Sequence, residues 1–144
     1  MRGSHKSPKL DDKSRFTLPS KYRGELSEQV TVVCELEHCL GVYPRQVFDA
    51  MMAPINQASP TFRRVRDYQR WMESRAEDAT PDKQGRITIT AQQRAWANLE
   101  HETITNGAGN RLEIWNPDDW AAYQERLLEE FADFDGDIVP KAVN

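Results

Sequence analysis

A short pattern of residues occurs twice in this chain, and two copies of one unit restrict the folds that it can adopt. Residues 11–18 read DDKSRFTL and residues 82–89 read DKQGRITI. Each copy holds an Asp, an Arg four positions later, and then an apolar residue, a Thr and a second apolar residue. Alternating apolar and polar residues are typical of half-buried β-strands, so we expect two similar halves that each contain such a strand.

The similarity between the halves continues beyond these strands. Arg23 aligns with Arg94, and Phe48 aligns with Trp120 after one residue is added to the second half. A β-prone stretch, a hairpin turn and a second β-prone stretch follow in each half. They are residues 30–36, 37–38 and 40–43 in the first half, and residues 103–105, 106–110 and 112–115 in the second. Each half is thus predicted to run strand, short helix, strand, strand, helix.

The helices of both halves have recognisable starts. Pro19 can open a short helix, and Thr90 can cap the corresponding one. Asn116 can cap the last helix, because Pro117 and two Asp residues follow in its first turn. The expected buried faces are Val47, Phe48, Met51 and Ile55 in the first half, and Trp120, Tyr123, Leu127 and Phe131 in the second. Pro54 is expected to kink or shorten the first of these two helices.

The sequence between the halves also has helical character. Ser59 and Pro60 form a favourable cap and first position, and the apolar residues that follow fall on one side. We therefore expect a connecting helix that packs the halves together. The predicted organisation is an α+β fold with a first repeat (residues 1–58), a connecting helix (59–76), a second repeat (77–131) and an acidic tail that is expected to be disordered (132–144).

Charge is unevenly distributed along the chain. The net charge is −4, yet residues 1–24 hold seven Lys or Arg against two Asp. Residues 118–137 carry eight Asp or Glu against one Arg. Because local potential governs encounter with a charged partner, a basic surface with the acid held elsewhere is compatible with phosphate binding.

Several classes of protein are disfavoured by the sequence. No apolar run approaches the roughly 20 residues of a membrane helix, and no signal-peptide pattern is present, so we expect a cytoplasmic protein. Cys34, His38 and Cys39 lie close together, but the spacing and the four ligands of a zinc site are missing. We expect reduced thiols, with a disulfide as the alternative, and neither a metal nor another cofactor. The sequence contains no HExxH, GxSxG or phosphate-binding loop, so neither an enzyme nor a small-molecule substrate is expected.

The repeated residues resemble a known family. Residues 10–23, 40–44, 82–86 and 112–115 are similar to the corresponding stretches of MraZ proteins, and the resemblance extends from about Gly3 to Phe131. MraZ proteins resemble the SpoVT and AbrB class, so the resemblance implies a double-split β-barrel in which two internal repeats swap hairpins, with flanking helices. It also implies a nucleoid-associated transcriptional regulator that assembles into a ring-shaped homo-oligomer. Its implied partner is double-stranded DNA, at short G-rich direct repeats upstream of the cell division and cell wall gene cluster.

The resemblance assigns DNA contact to the paired DxxxR motifs. Arg15 and Arg86 can each donate two hydrogen bonds to the O6 and N7 atoms of guanine. Asp11 and Asp82 are expected to hold the turn or to orient the arginine through a charge-assisted hydrogen bond. The candidates for phosphate contacts are Lys9, Lys13 and Lys83. The alternative is that each motif forms only a structural ion pair in a solvated turn.

The first motif departs from the family pattern at one position. The family usually has Gly before the first Arg, but this chain has Ser14 there, whereas Gly85 precedes Arg86. Because Gly reaches positive φ at little cost, Ser14 is expected to strain or reshape the first turn. Since Arg15 lies within the basic segment 1–24, we expect it to contribute more to affinity, while the turn of Arg86 matches the family better.

Two further alternatives concern partners. A basic run follows the first half and consists of Arg63, Arg64, Arg66, Arg70 and Arg75. It could be an additional DNA surface, but we favour a solvated face or a face that pairs with the acidic C-terminal helix of a neighbouring subunit. The alternative function is an AbrB-class antitoxin or small regulator that acts through a protein partner, although two full units and a short tail argue against it.

Overall fold

The computed structural model describes residues 1–7 and 9–139, and it has the α+β architecture expected from the sequence. The described residues contain eight strands, four α-helices and a short 3-10 helix at Ser20–Tyr22. In chain order the other elements are β1 (Arg2–Lys6), β2 (Arg15–Thr17), β3 (Val30–Cys34), β4 (Leu40–Pro44), α1 (Arg45–Gln57), α2 (Arg63–Glu73), β5 (Ala76–Ala79), β6 (Arg86–Thr88), α3 (Ala91–Ala97), β7 (Ile104–Ala108), β8 (Leu112–Trp115) and α4 (Pro117–Ala132). No helix among these residues is long and apolar enough to span a bilayer.

The strands of the two halves are interleaved. A six-stranded sheet has the order β1-β7-β8-β4-β3-β5, and β2 and β6 form a separate two-stranded ribbon. All pairings in the described residues are antiparallel. Strand β1 of the first half pairs with β7 of the second, and β5 of the second half pairs with β3 of the first. If β1–β4 are exchanged for β5–β8, the same strand order is obtained in reverse. The two halves are therefore related by a pseudo-twofold arrangement about the central pair β4–β8.

The main core lies between the ribbon and the sheet. Phe16 of β2 and Ile87 of β6 are almost fully buried and belong to the same cluster as Val32, Leu40 and Ile114 of the sheet. Burial of such a side chain stabilises the fold by roughly 1.5–3 kcal/mol. This packing holds the ribbon against the sheet and determines which face of the ribbon points outward. One core shared by both halves agrees with the expected split barrel, in which hydrogen bonds between strands do not close into one ring.

A second, smaller core lies on the opposite face of the sheet, under α1 and α2. It contains Val33, Tyr43, Phe48 and Met52. The prediction that Met51 faces the core was wrong: Met51 is 42% exposed, whereas Met52 is 2% exposed. Met52 lies four residues after Phe48 and three before Ile55, so helical geometry places it between these two core residues. Helix α1 also continues through Pro54 to Gln57, so the proline does not end it.

The turn of the second hairpin is shorter than predicted because β7 extends to Ala108. Residues 109–111 therefore make the turn, and Gly107 lies within the strand, opposite Leu112. A Cβ atom at position 107 would lie 2.2 Å from the backbone nitrogen of Arg2. The glycine is thus required by the close approach of β1, a contact between the halves that the local sequence does not reveal.

The chain ends in α4, which begins as predicted. The Asn116 side chain accepts a hydrogen bond from the backbone N–H of Asp119 at 3.0 Å. Trp120 and Tyr123 pack against Trp115, with ring centroids 5.2 and 5.1 Å away. Phe131, predicted on the buried face, is 52% exposed. Residues 140–144 of the predicted tail lie outside the described residues, and the boundaries proposed for the repeats, connecting helix and tail stay a prediction.

Candidate nucleic-acid interface

The first DxxxR motif forms a tight turn in front of β2. Asp11 Oδ1 accepts hydrogen bonds from the backbone N–H groups of Lys13 at 2.9 Å and Arg15 at 2.8 Å. The N–H of Ser14 donates to the Asp11 carbonyl at 2.9 Å, and the N–H of Asp11 donates to the Arg15 carbonyl at 3.2 Å. One aspartate thus satisfies the donors of the turn and closes it.

The second motif repeats this geometry in front of β6. Asp82 Oδ1 accepts from the backbone N–H groups of Gln84 and Arg86, both at 2.9 Å. The N–H of Gly85 donates to the Asp82 carbonyl at 2.9 Å, and the N–H of Asp82 donates to the Arg86 carbonyl at 3.0 Å. The repeat seen in the sequence is therefore a repeat of one hydrogen-bonded turn.

The same aspartates hold the arginine side chains. Arg15 Nε donates to Asp11 Oδ2 at 2.6 Å, and Arg86 Nε donates to Asp82 Oδ2 at 2.8 Å. Backbone N–H donation by each arginine, together with these side-chain bonds, lowers the pKa of both carboxyl groups below the ordinary value. Within the described residues the guanidinium groups bond through Nε alone, and their side chains are 29% and 27% exposed. Each arginine is therefore oriented by an ion pair while its terminal nitrogens stay available to a ligand.

The ribbon places both arginines on one outward face. Arg15 lies opposite Thr88, Phe16 opposite Ile87, and Thr17 opposite Arg86. Side chains alternate along a strand, so burial of the central apolar pair turns the two arginines and two threonines away from the core. The turns lie at opposite ends of the ribbon, because β2 and β6 are antiparallel.

Ser14 takes the conformation of the glycine that it replaces. Its φ is 58°, and that of Gly85 is 76°. The first turn keeps all the hydrogen bonds of the second, so Ser14 does not reshape it. The left-handed backbone does cost a non-glycine residue about 1–2 kcal/mol, so the expected strain lies at this residue.

The three predicted phosphate-binding lysines have different surroundings. Lys13 and Lys83 are exposed in the two turns, and so lie at opposite ends of the ribbon. Lys9 precedes the first turn, and its Nζ lies 3.3 Å from Glu102 Oε1. The structure thus brings Lys13 and Lys83 to the ends of the arginine-bearing ribbon, whereas Lys9 is already engaged by a carboxylate.

Two further arginines contact the turns, although the sequence did not predict them as part of the site. Arg94 Nη1 of the second half donates to the Ser14 hydroxyl of the first. Arg23 of the first half approaches Gly85 of the second, where an added Cβ would lie 2.6 Å from Arg23 Nε. The alignment of these arginines in the repeat was the available signal, but it could not show that each one reaches the opposite turn.

Most of the predicted basic run lies on the exposed surface of α2. Arg63 Nε and Arg70 Nη1 lie 3.3 and 2.9 Å from the Asp67 carboxylate. Arg75 is different, because its guanidinium lies between the Trp71 and Trp96 rings, 4.1 and 3.9 Å from their centroids. Arg75 therefore joins α2 to α3 and does not belong to the helical surface.

Packing accounts for the Cys-His cluster noted in the sequence. Cys34 and Cys39 are buried and free, and burial raises the pKa of both thiols. The His38 ring stacks on Trp96 at a centroid distance of 4.0 Å, and its Nδ1 lies 3.1 Å from the Trp96 carbonyl oxygen. Among the described residues, no group of three or more His, Cys, Asp or Glu side chains is placed to hold a metal ion.

Comparisons with known proteins agree with one another. A family model described as "MraZ protein, putative antitoxin-like" matches residues 1–70 and 72–137. The Transcriptional regulator MraZ of Frankia alni is 41% identical over 141 residues, which are 98% of each chain. Proteins of the same name from Cutibacterium acnes and Saccharopolyspora erythraea are also 41% identical, over 91% and 96% of this chain and 92% and 96% of theirs. The matched residues include both turns and the whole ribbon.

Proposed function

This chain belongs to the MraZ family, and on that premise we propose that it is a DNA-binding transcriptional regulator. The observation that carries the proposal is the outward face of the β2–β6 ribbon, where Arg15 and Arg86 are each held by an aspartate with their terminal nitrogens available. An arginine fixed in this way loses little conformational entropy on binding, which favours recognition over a merely structural ion pair.

The ribbon is suited to the major groove of DNA. A two-stranded β-ribbon fits the width of that groove, and an arginine there can donate two hydrogen bonds to the O6 and N7 atoms of guanine. Each good contact of this kind discriminates against a wrong base by about 1–3 kcal/mol. Because Arg15 and Arg86 lie diagonally across the ribbon, one ribbon addresses two guanines a short distance apart. The proposed targets are short G-rich direct repeats upstream of the cell division and cell wall gene cluster, as the family resemblance implies.

Lysines at the ends of the ribbon supply the contacts that do not depend on sequence. Lys13 and Lys83 are exposed beside the arginines and can meet phosphates on either side of the groove. Lys9 can join them if it exchanges the Glu102 carboxylate for a phosphate. The regulator acts on double-stranded DNA in the cytoplasm, in association with the nucleoid, and its proposed activity needs no cofactor or small-molecule substrate.

Several copies of the chain form a ring that reads consecutive repeats. Two surfaces support such self-association. Helix α4 is acidic and leaves Leu128 72% and Phe131 52% exposed, whereas α2 is basic and leaves Tyr68 and Trp71 partly exposed. If α2 of one copy docks on α4 of the next, both sets of apolar side chains are covered and opposite charges meet. This head-to-tail contact repeats until a ring closes, and it multiplies weak contacts into avidity.

The proposal is tested by selecting duplexes from a random DNA library with the purified protein, followed by gel-shift titration. We expect enrichment of G-rich direct repeats and a steep fall in affinity as salt is added, because phosphate binding releases counterions. The double variant Arg15→Ala, Arg86→Ala should keep its fold, judged by circular dichroism, and bind the selected duplex at least roughly a hundredfold more weakly. Unchanged affinity of this variant would exclude the ribbon as the reading surface, and a flat salt response would point to a protein partner instead.

A further inference from the structure

One arginine outside the two motifs is placed to control the first of them. We propose that Arg94 is a positioning residue for the first DxxxR turn: it reaches from the second half of the chain and holds Ser14 in the left-handed conformation from which Arg15 projects. This inference rests on the proposed role of Arg15 in binding DNA. It adds a residue that does not itself touch the bases.

The second half of the chain contacts both the side chain and the backbone of Ser14. The Ser14 hydroxyl accepts a hydrogen bond from Arg94 Nη1, and the Ser14 carbonyl accepts one from the Ile89 N–H at 2.9 Å. Arg94 lies on α3, whose start is fixed by a capping box in which the Thr90 side chain and the Gln93 N–H bond at 3.1 Å. The arginine therefore extends from a well-anchored helix.

The second turn has a related contact, made by Arg23 of the first half. Arg23 Nε donates to the Leu18 carbonyl at 3.1 Å and passes so close to Gly85 that a side chain there would collide with it. Both turns are thus approached by an arginine of the opposite half. At Gly85 the approaching arginine occupies the space of the missing side chain, whereas at Ser14 it bonds to the side chain that is present.

Because the first turn has Ser14 where the second has Gly85, Arg94 stabilises a strained residue and Arg23 does not. A left-handed backbone is unfavourable for serine and readily adopted by glycine. The first turn therefore depends on a compensating contact, and a hydrogen bond from a charged donor is among the stronger ones available. If this contact is lost, Ser14 relaxes toward ordinary φ values. The hydrogen bonds that Asp11 accepts from the backbone of the turn then break, and Arg15 moves.

This dependence is tested by combining substitutions at positions 94 and 14. With Ser14 present, Arg94→Ala should weaken binding to the selected duplex roughly tenfold. In the Ser14→Gly background, the same substitution should have little effect, since glycine holds the turn unaided. Gln92→Ala is the matched control, because Gln92 is exposed on the same helix. Equal losses in both backgrounds would overturn the inference and indicate that Arg94 binds phosphate directly.

Hydrogen exchange provides a readout that needs no DNA. The Arg15 amide donates to Asp11 Oδ1 at 2.8 Å and should be protected in the intact turn. Arg94→Ala should accelerate exchange of the Ser14 and Arg15 amides when Ser14 is present, and it should leave exchange at these positions nearly unchanged in the Ser14→Gly background. If the wild type binds no DNA but this pattern is found, the proposed function fails while the positioning role stands. Exchange that is independent of residue 14 would refute the positioning role.

Discussion

A single aspartate carboxylate both closes each DxxxR turn and orients its arginine. Oδ1 of Asp82 accepts hydrogen bonds from the backbone N–H groups of Gln84 and Arg86, and Oδ2 accepts one from Arg86 Nε. The spacing of the motif suits this division, since the arginine four positions later returns both its backbone and its side chain to the same aspartate. The structural ion pair is therefore compatible with the proposed DNA contact, because it orients the arginine and leaves its terminal nitrogens available.

Replacing the carboxylate with an amide should separate these tasks. In Asp82→Asn, the amide oxygen can still accept from the turn, but its NH₂ group faces the donor Arg86 Nε. We expect weaker DNA binding and a lower free energy of unfolding, measured by gel shift and denaturation. Because the folded pKa of Asp82 is lowered, its contribution is complete above the ordinary value of about 4 and is lost as pH falls through the lowered pKa. The stability difference from wild type should therefore shrink in acid.

Asp12→Asn is the matched control for this experiment. Asp12 is exposed, follows Asp11 and does not bind the turn in the described residues. Its substitution should leave both affinity and stability close to wild type. A stability difference for Asp82→Asn that persists unchanged at pH 3 would contradict the role assigned to the carboxylate.

The ribbon depends on both halves of the chain. Its two strands are only three residues each and pair with each other across the repeat. Burial of Phe16 and Ile87 leaves Arg15, Thr17, Arg86 and Thr88 as its outward face. The strands are thus short enough to present these four side chains and little else.

A negative charge on this face should weaken DNA binding without unfolding the protein. Thr88 is exposed and lies opposite Arg15, so Thr88→Asp places a carboxylate beside this arginine, where it pairs with the guanidinium and repels the DNA. We expect at least a roughly tenfold loss of affinity. Since exposed substitutions usually change stability by about 0.5 kcal/mol or less, the denaturation midpoint should stay near wild type. Ser27→Asp adds the same charge at an exposed loop position and should bind normally; equal losses in both variants would indicate a general charge effect.

Elements with a strong local pattern could be predicted from the sequence. The strands around Phe16 and Ile87 alternate in polarity, and the caps at Thr90 and Asn116 were recognisable from residue type alone. The edge strands β1 and β5 were missed because they read RGSHK and AEDA, and pairing with the other half is what makes them strands. For the same reason, the approach of Arg94 to Ser14 could not be predicted. A repeat reveals which residues correspond, but it does not reveal which ones meet.

Helices α2 and α4 determine the proposed assembly of several copies. Helix α2 packs with α1 on the small core, to which Val47, Ile55 and Met72 contribute. Helix α4 follows the equivalent strand of the second half, but its outer apolar residues stay exposed. Helix α2 thus packs on α1, whereas Leu128 and Phe131 of α4 stay exposed, and in the proposed ring a neighbouring copy covers them.

Disruption of the α4 surface should produce single chains. The variant Leu128→Asp, Phe131→Asp should elute as a 16.6 kDa monomer, whereas wild type should have a multiple of that mass by light scattering. Because avidity is lost, its affinity should fall much more on a duplex with several repeats than on one with a single repeat. Ser27→Asp should keep the wild-type mass. A wild-type chain that is monomeric both free and on DNA would exclude the ring.

The interleaving of the halves also determines when this protein can act. Arg2 pairs with Ala108 and Lys6 with Ile104, while the strand that carries Arg15 has no partner until the strand that carries Arg86 exists. In a chain that is still emerging from the ribosome, the first motif is therefore complete in sequence, but the ribbon has not yet formed. In the proposed mode of DNA binding, the ribbon therefore exists only once the second half has folded against the first. Fragments from incomplete translation or from proteolysis between the repeats would then not compete with the intact protein for its sites.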